Sequence, residues 1–537
     1  MKRFLTACLF LITWSGVITA QKANTDARIA EVDALAQQAL LMFNVPGIAV
    51  AIVENDHVLL SKGYGKRNAE SGLTITDSTL FAIASNSKAF TSAALAMLVD
   101  RGLVKWDDKV RKYLPYFTLY SPYVSEEFTI RDLLCHRSGL DTFSGDLIWY
   151  GTTHSREQII ARARFLEPSF GFREHYGYSN IMYLAAGEIV AKTSGLTWDQ
   201  FIQENIFKPL GMYTANTTVS DYRLGAAGLQ SKLSVNIASP HNEVSGKNQP
   251  IDYVNWDNIG PAGSINASVA ELTQWIRLQL GKGTLAGRTY WNEQRSWEMW
   301  ENNMPKPVSK WQRGRMPSRH FNGYGLGWEL MEYKGVKVVS HGGGYDGMIS
   351  KTVLIPEKNL GFVILTNNIN SVPSALTYEI LDAFLMERDK KGRIKGIEED
   401  WMKMFAQFKK DDEEALSKAR MEEESKRVKS ARMSLALADY CGVYTSEMYG
   451  DVFITIDPEP LTPSGGLKID FAPTALFKGH LTHWHFDTFE LSWSAQMMLP
   501  KGKATFVLSA EGKPIELKIL VDNPDFDFTE LKLLRRE

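Results

Sequence analysis

The stretch that decides the fold is Phe81-Ala82-Ile83-Ala84-Ser85-Asn86-Ser87-Lys88, because an extended apolar segment gives way there to a helix. Apolar residues recur at helical spacing from Ser85 to about Arg101, and Gly102 is suited to end that helix. Lys88 comes one turn after Ser85, so both side chains project from one helix face. The pattern predicts a serine and a lysine side by side at a helix N-terminus.

Such a pair has the chemistry of an activated nucleophile. A serine hydroxyl is a poor nucleophile unless a base takes its proton. A lysine, with an ordinary pKa of about 10.4, can be that base when burial and the positive helix end lower its pKa. Backbone N–H groups at the helix start, including that of Ser85, can stabilise an oxyanion. Ser-x-x-Lys alone is common, however, and an N-cap serine with a surface lysine gives the same pattern.

Two distant polar elements add to this pair. Tyr178-Ser179-Asn180 stands at a second predicted helix start. A tyrosine near a lysine ammonium is expected to have a lowered pKa and to shuttle protons, and the asparagine can bond both a substrate amide and the lysine. His341-Gly342-Gly343-Gly344 is expected to end the strand 336–340. Its glycines let a substrate backbone lie against the sheet, with the Gly344 N–H as the second oxyanion donor.

The order Ser-x-x-Lys, Tyr-x-Asn, His-x-Gly resembles that of the serine β-lactamase and penicillin-binding-protein superfamily. It is most similar to the branch with class C β-lactamases and D-alanyl-D-alanine carboxypeptidases of the serine-peptidase type. The resemblance covers about residues 28–385 and implies an α/β (α+β) fold: an antiparallel sheet flanked by helices, an all-helical subdomain, and the site between them. Other stretches that match the family pattern are 129–140, 209–212, 261–264 and 323–328.

The resemblance also implies roles for the site residues. Ser85 is then the acylated nucleophile, and Lys88 and Tyr178 move protons. Asn180 positions the substrate, and His341 and Gly343 line the substrate-binding edge. The implied route passes through an acyl-enzyme and uses neither a metal nor another cofactor.

One departure from the family pattern bears on the substrate. β-Lactamases of this branch usually carry Lys-Thr-Gly where this chain has His341-Gly342-Gly343, and a neutral imidazole anchors a carboxylate less well than an ammonium. This favours the esterases, D-amino-acid peptidases and amidases of the family over an antibiotic-destroying enzyme. The sequence thus predicts a serine hydrolase of the D-amino-acid peptidase or carboxypeptidase type or of the esterase type. A true class C-type β-lactamase is the alternative enzyme. A non-catalytic, penicillin-binding cell-wall sensor is the alternative from another class, which the intact Ser85, Lys88, Tyr178 and Asn180 disfavour.

The first part of the chain alternates between strand and helix patterns. Residues 45–66 predict a hairpin, and residues 336–366 return to strands. The middle reads as mostly helical, at 103–115, 129–140 and 178–195. We therefore expect one sheet built from distant chain segments, with a helical subdomain inserted in it.

The composition changes near residue 386. Residues 386–435 are dense in charged side chains and predict a helical connector with a solvated face. Residues 436–537 show short strands with turn punctuation, which predicts a separate all-β domain, a sandwich or a barrel. This β-domain also resembles the lipocalin-like module that follows some of these peptidases.

The N-terminus has the pattern of a cleavable signal peptide at residues 1–20. Lys2 and Arg3 precede the apolar run 4–14, and a plausible cleavage site follows Ala20. A lipoprotein signal at Cys8 is disfavoured because too little apolar chain precedes it. We expect a periplasmic or secreted protein with no transmembrane segment after signal removal.

The balance of basic and acidic residues limits the classes of partner to be expected. The chain of 537 residues has 60 Lys plus Arg against 62 Asp plus Glu, which gives no electrostatic reason to expect nucleic acid. We expect a small-molecule or peptide substrate, one source of which is the cell wall. The sequence does not indicate an oligomeric state.

Cysteine and histidine residues outside the three motifs are expected to be structural. Cys135 and Cys441 predict buried free thiols. His480, His483 and His485 predict surface or barrel-lining side chains, not a zinc site. Of the other histidines, His136 predicts a helix or turn residue, and His175 is a minor candidate for the pocket wall.

Overall fold

The computed structural model describes residues 27–220, 236–389, 394, 399–462, 465–494 and 499–536. The predicted signal peptide lies outside these residues. The described chain forms a mixed α/β domain followed by a closed β-barrel, which confirms the predicted fold class. No helix in the described ranges is long and apolar enough to cross a membrane.

The first domain is built on one antiparallel sheet of eight strands. Their order is β2-β1-β14-β13-β12-β11-β10-β9, so the N-terminal hairpin pairs with the last strand of the domain. Six further short strands of this domain form three two-stranded sheets, β3 with β6, β4 with β5 and β7 with β8. The fourteen strands are Gly47–Glu54 (β1), His57–Gly65 (β2), Phe81–Ala82 (β3), His241–Val244 (β4), Lys247–Pro250 (β5), Asn266–Ala267 (β6), Thr284–Leu285 (β7), Arg288–Thr289 (β8), Met304–Lys306 (β9), Asn322–Tyr324 (β10), Glu329–Tyr333 (β11), Val336–Tyr345 (β12), Met348–Ile355 (β13) and Leu360–Thr366 (β14).

The hairpin 45–66 and the assembly of one sheet from distant segments are confirmed. Asn55 and Asp56 form the hairpin turn with φ values of 52° and 66°, the left-handed pair that suits a two-residue connection. The strand that was expected to end at Ser340 instead continues to Tyr345. Glycine lacks a side chain but keeps its N–H, so the three glycines stay in the pairing ladder with β13.

Helices cover both faces of the sheet and form the subdomain beside it. They are 27–42 (α1), Ser87–Asp100 (α2), Pro122–Glu127 (α3), Ile130–Leu134 (α4), Arg156–Arg162 (α5), Asn180–Ser194 (α6), Trp198–Ile202 (α7), Lys208–Leu210 (α8), Gly260–Gly263 (α9), Val269–Leu280 (α10), Glu293–Met299 (α11), Lys310–Arg315 (α12) and Val372–Leu385 (α13).

Strand β1 shows why the sheet is buried on both sides. Ile48, Val50 and Ile52 belong to the apolar cluster with α1 and α13, whereas Ala49 and Ala51 belong to the cluster with α2 and α10. Alternate side chains of a strand point to opposite faces, so a run of small and β-branched residues fills both clusters.

Two of the predicted helices are shorter than expected. Residues 103–115 contain only a 3-10 turn at Val110–Lys112, because the Asp108 carboxylate holds a turn by accepting from the Lys105 N–H. In 129–140 only α4 is helical. His136 adopts a left-handed φ of 59° just after its end, so the helix cannot continue.

The C-terminal part begins with a long helix and ends in the barrel. The helix, Trp401–Ser425 (α14), lies in the stretch predicted as a charged connector, and the short helix Leu437–Tyr440 (α15) follows. The closed barrel excludes the alternative of a sandwich. Its strands are Gly442–Ser446 (β15), Gly450–Ile456 (β16), Leu467–Phe471 (β17), Lys478–His485 (β18), Thr488–Trp493 (β19), Gly502–Leu508 (β20), Pro514–Val521 (β21) and Leu533–Arg535 (β22).

The barrel docks on the loops of the helical subdomain. Glu530 accepts from the Ser144 hydroxyl and from the Gly145 N–H, and Thr152 forms a β-bridge with Thr474. Phe526 packs on Tyr150 with ring centroids 4.5 Å apart. These contacts fix the barrel beside the cavity described next.

Candidate active site

Ser85 lies in a tight turn between β3 and α2. A 3-10 turn, Ala84–Asn86, precedes the helix, and Ala84 has a positive φ of 46°. Ser350 of β13 ties this turn to the sheet: its hydroxyl donates to the Ile83 carbonyl at 2.7 Å and accepts from Asn86 Nδ2 at 2.8 Å. The Ser85 side chain is thereby held at the mouth of a cavity between sheet and subdomain.

Lys88 is fully buried beneath Ser85. Its Nζ lies 3.1 Å from Ser85 Oγ, 2.7 Å from Asn180 Oδ1 and 2.9 Å from the Ala262 carbonyl oxygen. Burial lowers the pKa of Lys88 to about 7, although Asp146 acts in the opposite direction. A neutral amine is therefore accessible near neutrality, and it can accept the Ser85 proton.

Tyr178 lies beside Ser85 and Lys88. Lys88 Nζ lies 4.6 Å from the centre of the Tyr178 ring. Burial raises the pKa of Tyr178 well above its ordinary value, and a hydrogen bond with Ser85 opposes that rise. The expected lowering of this pKa is therefore wrong, because burial outweighs the nearby cation. Tyr178 stays a neutral phenol that can accept a proton only while passing its own on.

Asn180 is oriented by a carboxyl group that the sequence did not reveal. Its Oδ1 accepts from Lys88, and its Nδ2 donates to Asp146 Oδ2 at 2.6 Å. The second oxygen of Asp146 accepts from Trp149 Nε1 at 2.8 Å. Burial raises the pKa of Asp146 to about 8. Asp146 thus fixes which end of the Asn180 amide faces the lysine.

We expect Asp146→Asn to lower kcat/KM by about 10²-fold, because an amide offers one acceptor to two donors and Asn180 then loses its orientation. The acid limb of the pH profile should also move to lower pH, because Asp146 raises the Lys88 pKa. Steady-state rates from pH 5 to 9 measure both effects. Asp141→Asn, an exposed neighbour, is the matched control. A fall in rate without a shift of the acid limb would contradict the effect of Asp146 on the Lys88 pKa.

Strand β12 brings the third motif against the nucleophile. The missing side chain of Gly343 leaves room for this contact: a Cβ there would lie 2.2 Å from the Ile83 carbonyl oxygen and 3.0 Å from the Ser85 nitrogen. Gly344 lines the cavity together with Ser85, where its N–H was predicted to be an oxyanion donor. That role stays a prediction.

We expect Gly343→Ala to lower kcat/KM by about 10²-fold and the free energy of unfolding by about 1–3 kcal/mol, because backbone must move to admit the methyl group. Gly342→Ala is the matched control, since the nearest atoms to its added Cβ lie 3.8 Å away. Kinetics and urea unfolding of both variants test the expectation. Equal losses of activity and stability in the two variants would show that the close contact at Gly343 is not required.

His341 is held by protein groups on both ring nitrogens. Nδ1 lies 2.6 Å from the Gly342 carbonyl oxygen and Nε2 lies 2.7 Å from the Tyr324 hydroxyl. Since a carbonyl can only accept, Nδ1 carries the proton and Nε2 accepts from Tyr324. Burial lowers the pKa of His341 to about 3, so the ring is neutral. Its predicted role in substrate binding requires it to give up one of these bonds.

The cavity at Ser85 has a volume of about 600 Å³. Aromatic residues, including Tyr150, Trp256 and Tyr345, form much of its wall, and the barrel contributes Asn523, Asp525 and Phe526 among others. The barrel is therefore part of the site, a role that the sequence left open.

Four carboxyl groups line this cavity, and no lysine or arginine of the described chain is among the lining residues. They belong to Asp146, Glu329, Asp346 and Asp525, of which Asp146, with its pKa of about 8, is mostly neutral near pH 7. Burial raises the pKa of Asp346 to about 6 and that of Asp525 above its ordinary value. Burial also acts to raise the pKa of Glu329, but Lys351 and other cations hold it below its ordinary value.

His136 is a turn residue, as predicted, with a left-handed φ of 59°. It is also buried against Tyr178, with ring centroids 4.2 Å apart, and its Nδ1 accepts from the Ser179 N–H. His175 is exposed beside Glu174 and does not line the cavity. Cys135 and Cys441 are free thiols, as predicted, but Cys441 is only half-buried. Among the described residues, no histidine, cysteine and carboxylate cluster could hold a metal.

A Ser–Lys–Tyr constellation between an antiparallel sheet and a helical subdomain defines a protein of the β-lactamase and penicillin-binding-protein superfamily. The chain belongs to the Beta-lactamase family, whose model matches residues 32–384. A second model, described as a domain of unknown function (DUF3471), matches residues 426–535 and includes the barrel.

Relatives extend this similarity along the chain. Unguisins hydrolase ungD' of Aspergillus campestris is 27% identical over 502 residues, which cover 90% of this chain and 88% of the relative. The octameric penicillin-binding protein homologue from Pyrococcus abyssi aligns with a TM-score of 0.59 at 20% identity, over 94% of this chain and 100% of that one. A D-stereospecific amidohydrolase from Streptomyces sp. aligns with a TM-score of 0.51 at 21% identity, over 66% and 98%. At these identities the two structures establish the fold.

Proposed function

We propose that this protein is a serine hydrolase that cleaves an amide, peptide or ester bond through an acyl-enzyme on Ser85. The observation that carries the proposal is the contact of 3.1 Å between Ser85 Oγ and a buried lysine amine whose pKa is lowered to about 7. The family is one of hydrolases, and the relative aligned over most of the chain is named as a hydrolase.

In the acylation step, neutral Lys88 takes the Ser85 proton while Oγ bonds to the substrate carbonyl carbon. The carbonyl π electrons move to the oxygen, and in this proposal the Ser85 and Gly344 N–H groups stabilise the resulting oxyanion. Tyr178 then gives its hydroxyl proton to the leaving nitrogen or oxygen and regains one from Lys88. The bond to the leaving group breaks. Water attacks the ester, gives up its proton along the same route and restores Ser85.

The charge of the cavity selects among substrates. No cation lines the cavity in the described chain to anchor a substrate carboxylate, and the Asp346 carboxylate in its wall, with a pKa of about 6, repels one near neutral pH. β-Lactam antibiotics and carboxypeptidase substrates carry such a carboxylate. We therefore favour neutral substrates, or ones with an ammonium group, and so an amidase, aminopeptidase or esterase over a carboxypeptidase. The stereochemistry stays open.

The place of action is proposed from the N-terminal pattern alone. Residues 1–20 have the features of a cleavable signal, which places the mature protein in the periplasm or outside the cell. A cell-wall-derived peptide is one substrate that such a protein would meet. N-terminal sequencing of the exported protein tests this location, and a chain that retains Met1 would contradict it.

Active-site labelling and a substrate panel test the function. A fluorophosphonate probe should label one peptide, the one that contains Ser85. The panel pairs D- and L-amino-acid amides and esters that have a free amine with N-acylated and free-carboxylate counterparts, and we expect the carboxylates to be the poorest. Rapid nitrocefin turnover would instead indicate a β-lactamase, and stable penicillin acylation a penicillin-binding carboxypeptidase. Absence of both labelling and hydrolysis would favour a non-catalytic sensor.

A further inference from the structure

A second cavity lies at the edge of the sheet where β9, β10 and β11 meet α12, α13 and α14. Its volume is about 550 Å³. Glu329 lines both this cavity and the one at Ser85, but Ser85, Lys88 and Tyr178 do not line it. We call it the edge cavity. None of the three sequence motifs indicates what the edge cavity does.

A buried cation without a carboxylate partner lines the edge cavity. Arg319 is 8% exposed. Its Nε donates to Asn322 Oδ1 at 2.7 Å, while its Nη groups contact the thioether sulfurs of Met316 and Met331 and the Tyr378 hydroxyl. Thioethers are weak acceptors, and no acidic residue of the described chain pairs with this guanidinium.

Buried charges in proteins are normally paired with an opposite charge or bound to one. The side chains around Arg319 do not supply the missing negative charge. Lys306 and Lys351 also line the edge cavity and share one carboxylate, Glu329, at 3.5 Å and 3.0 Å. The lining therefore holds three cationic side chains and a single anion. An anionic group from solution would balance it.

Aromatic rings also line the edge cavity. Trp311 of α12 packs against Phe408 of α14 with ring centroids 5.8 Å apart, and Tyr378 of α13 lies nearly parallel to Phe405. All four side chains line the cavity. Rings of this kind bind a flat apolar body, whereas a guanidinium binds a planar carboxylate through two parallel hydrogen bonds.

We propose that the edge cavity binds an organic carboxylate with an aromatic body, its carboxylate on Arg319 and Lys351 and its ring among Trp311, Tyr378 and Phe405. The site adjoins the Ser85 cavity at Glu329 but is lined by none of Ser85, Lys88 and Tyr178. A cavity of this size is typical of small-molecule sites and exceeds what a bare inorganic anion fills.

Binding is tested on full-length Ser85→Ala protein, so that turnover cannot consume the probe. The probe is 2-naphthoate, the neutral comparison is 2-naphthamide, and inorganic phosphate is the third arm. Titration calorimetry should show saturable binding of the carboxylate at one site, at least about tenfold tighter than the amide, since a charged hydrogen-bonded pair contributes about 1.5–3 kcal/mol. Phosphate should bind weakly and compete with naphthoate.

Variants of the lining residues test whether the probe binds in the edge cavity. Arg319→Met should weaken naphthoate binding at least about tenfold, whereas Arg313→Met, an exposed arginine of α12, should leave it unchanged. If Arg319→Met does not fold, Lys351→Met and Phe408→Ala carry the same test and should each weaken binding. The proposal is overturned if naphthoate does not bind, if the amide binds equally well, or if the folded cavity variants bind like the parent. Phosphate binding that exceeds that of naphthoate would replace the organic carboxylate by a phosphate ligand.

Discussion

Replacing Ser85 by alanine is expected to abolish fluorophosphonate labelling and to lower kcat/KM by at least about 10⁴-fold. The variant keeps the oxyanion donors and the cavity, so a small residual rate above that of water should remain. Among the described residues, Lys88 Nζ is hydrogen-bonded to the Ser85 hydroxyl at 3.1 Å, to the Asn180 amide and to the Ala262 carbonyl, and to no second hydroxyl that could substitute. Intact-protein mass spectrometry and steady-state kinetics measure the two effects.

Ser87→Ala is the matched control for this result. Ser87 is buried at the first position of α2, and its hydroxyl accepts from the Ile265 N–H at 3.1 Å. Its loss should reduce stability by about 1–3 kcal/mol but leave labelling at Ser85 intact. If Ser85→Ala retains both labelling and more than about a tenth of the activity, the assignment of the nucleophile is wrong.

The three motifs could be located from the sequence because each one is local. Ser85 and Lys88 stand one turn apart. Ser85 and Asn180 each stand near the start of a helix that faces the cavity, and a helix start can be predicted from sequence. What the sequence could not show is a partner that reaches the site through tertiary structure. Asp146 touches Asn180 from 34 residues away, at the start of the 3-10 turn Asp146–Ile148, which carries no motif of its own. Only the known order of family motifs tied the three distant elements together.

Other differences arise where packing overrides local pattern. The expected lowering of the Tyr178 pKa rested on one nearby cation, but the folded chain buries the phenol among Tyr183, Glu329 and Asp146, which act in the opposite direction. His136 looked like a turn residue, and it is one, but its left-handed backbone also turns the ring under Tyr178. Backbone conformation and burial of this kind cannot be deduced from spacing.

The barrel changes how the site should be understood. Residues near 523–526, which follow β21, lie more than 300 positions from Tyr178 and yet help to line the same cavity. Glu530 anchors this loop region on Ser144 and Gly145, next to Asp146. The charge and size limits on a substrate are thus set partly by the C-terminal domain. The proposed nucleophile, Ser85, and its proposed proton carriers, Lys88 and Tyr178, by contrast, all come from the first domain.

The second large effect is expected at Lys88. If its neutral amine is the base, wild-type kcat/KM should rise with pH through the Lys88 pKa of about 7 and level off above it, because the protonated amine cannot accept the Ser85 proton. Lys88→Met removes the amine while keeping an unbranched apolar stem. We expect it to lower kcat/KM by about 10³–10⁴-fold and to remove the acid limb from the pH profile.

Lys88→Arg tests whether position 88 must supply a base or only a positive charge. A guanidinium keeps donors near Asn180 and Ala262 but does not lose its proton in a protein, so this variant should be as inactive as Lys88→Met. Folding of both variants can be compared by circular dichroism, since a buried lysine pairs with groups that its loss leaves unsatisfied. A folded Lys88→Arg protein with near wild-type activity would show that the site needs only a cation there. The Ser85 proton would then have to leave by another route, and the mechanism proposed for this chain would fail at its first step.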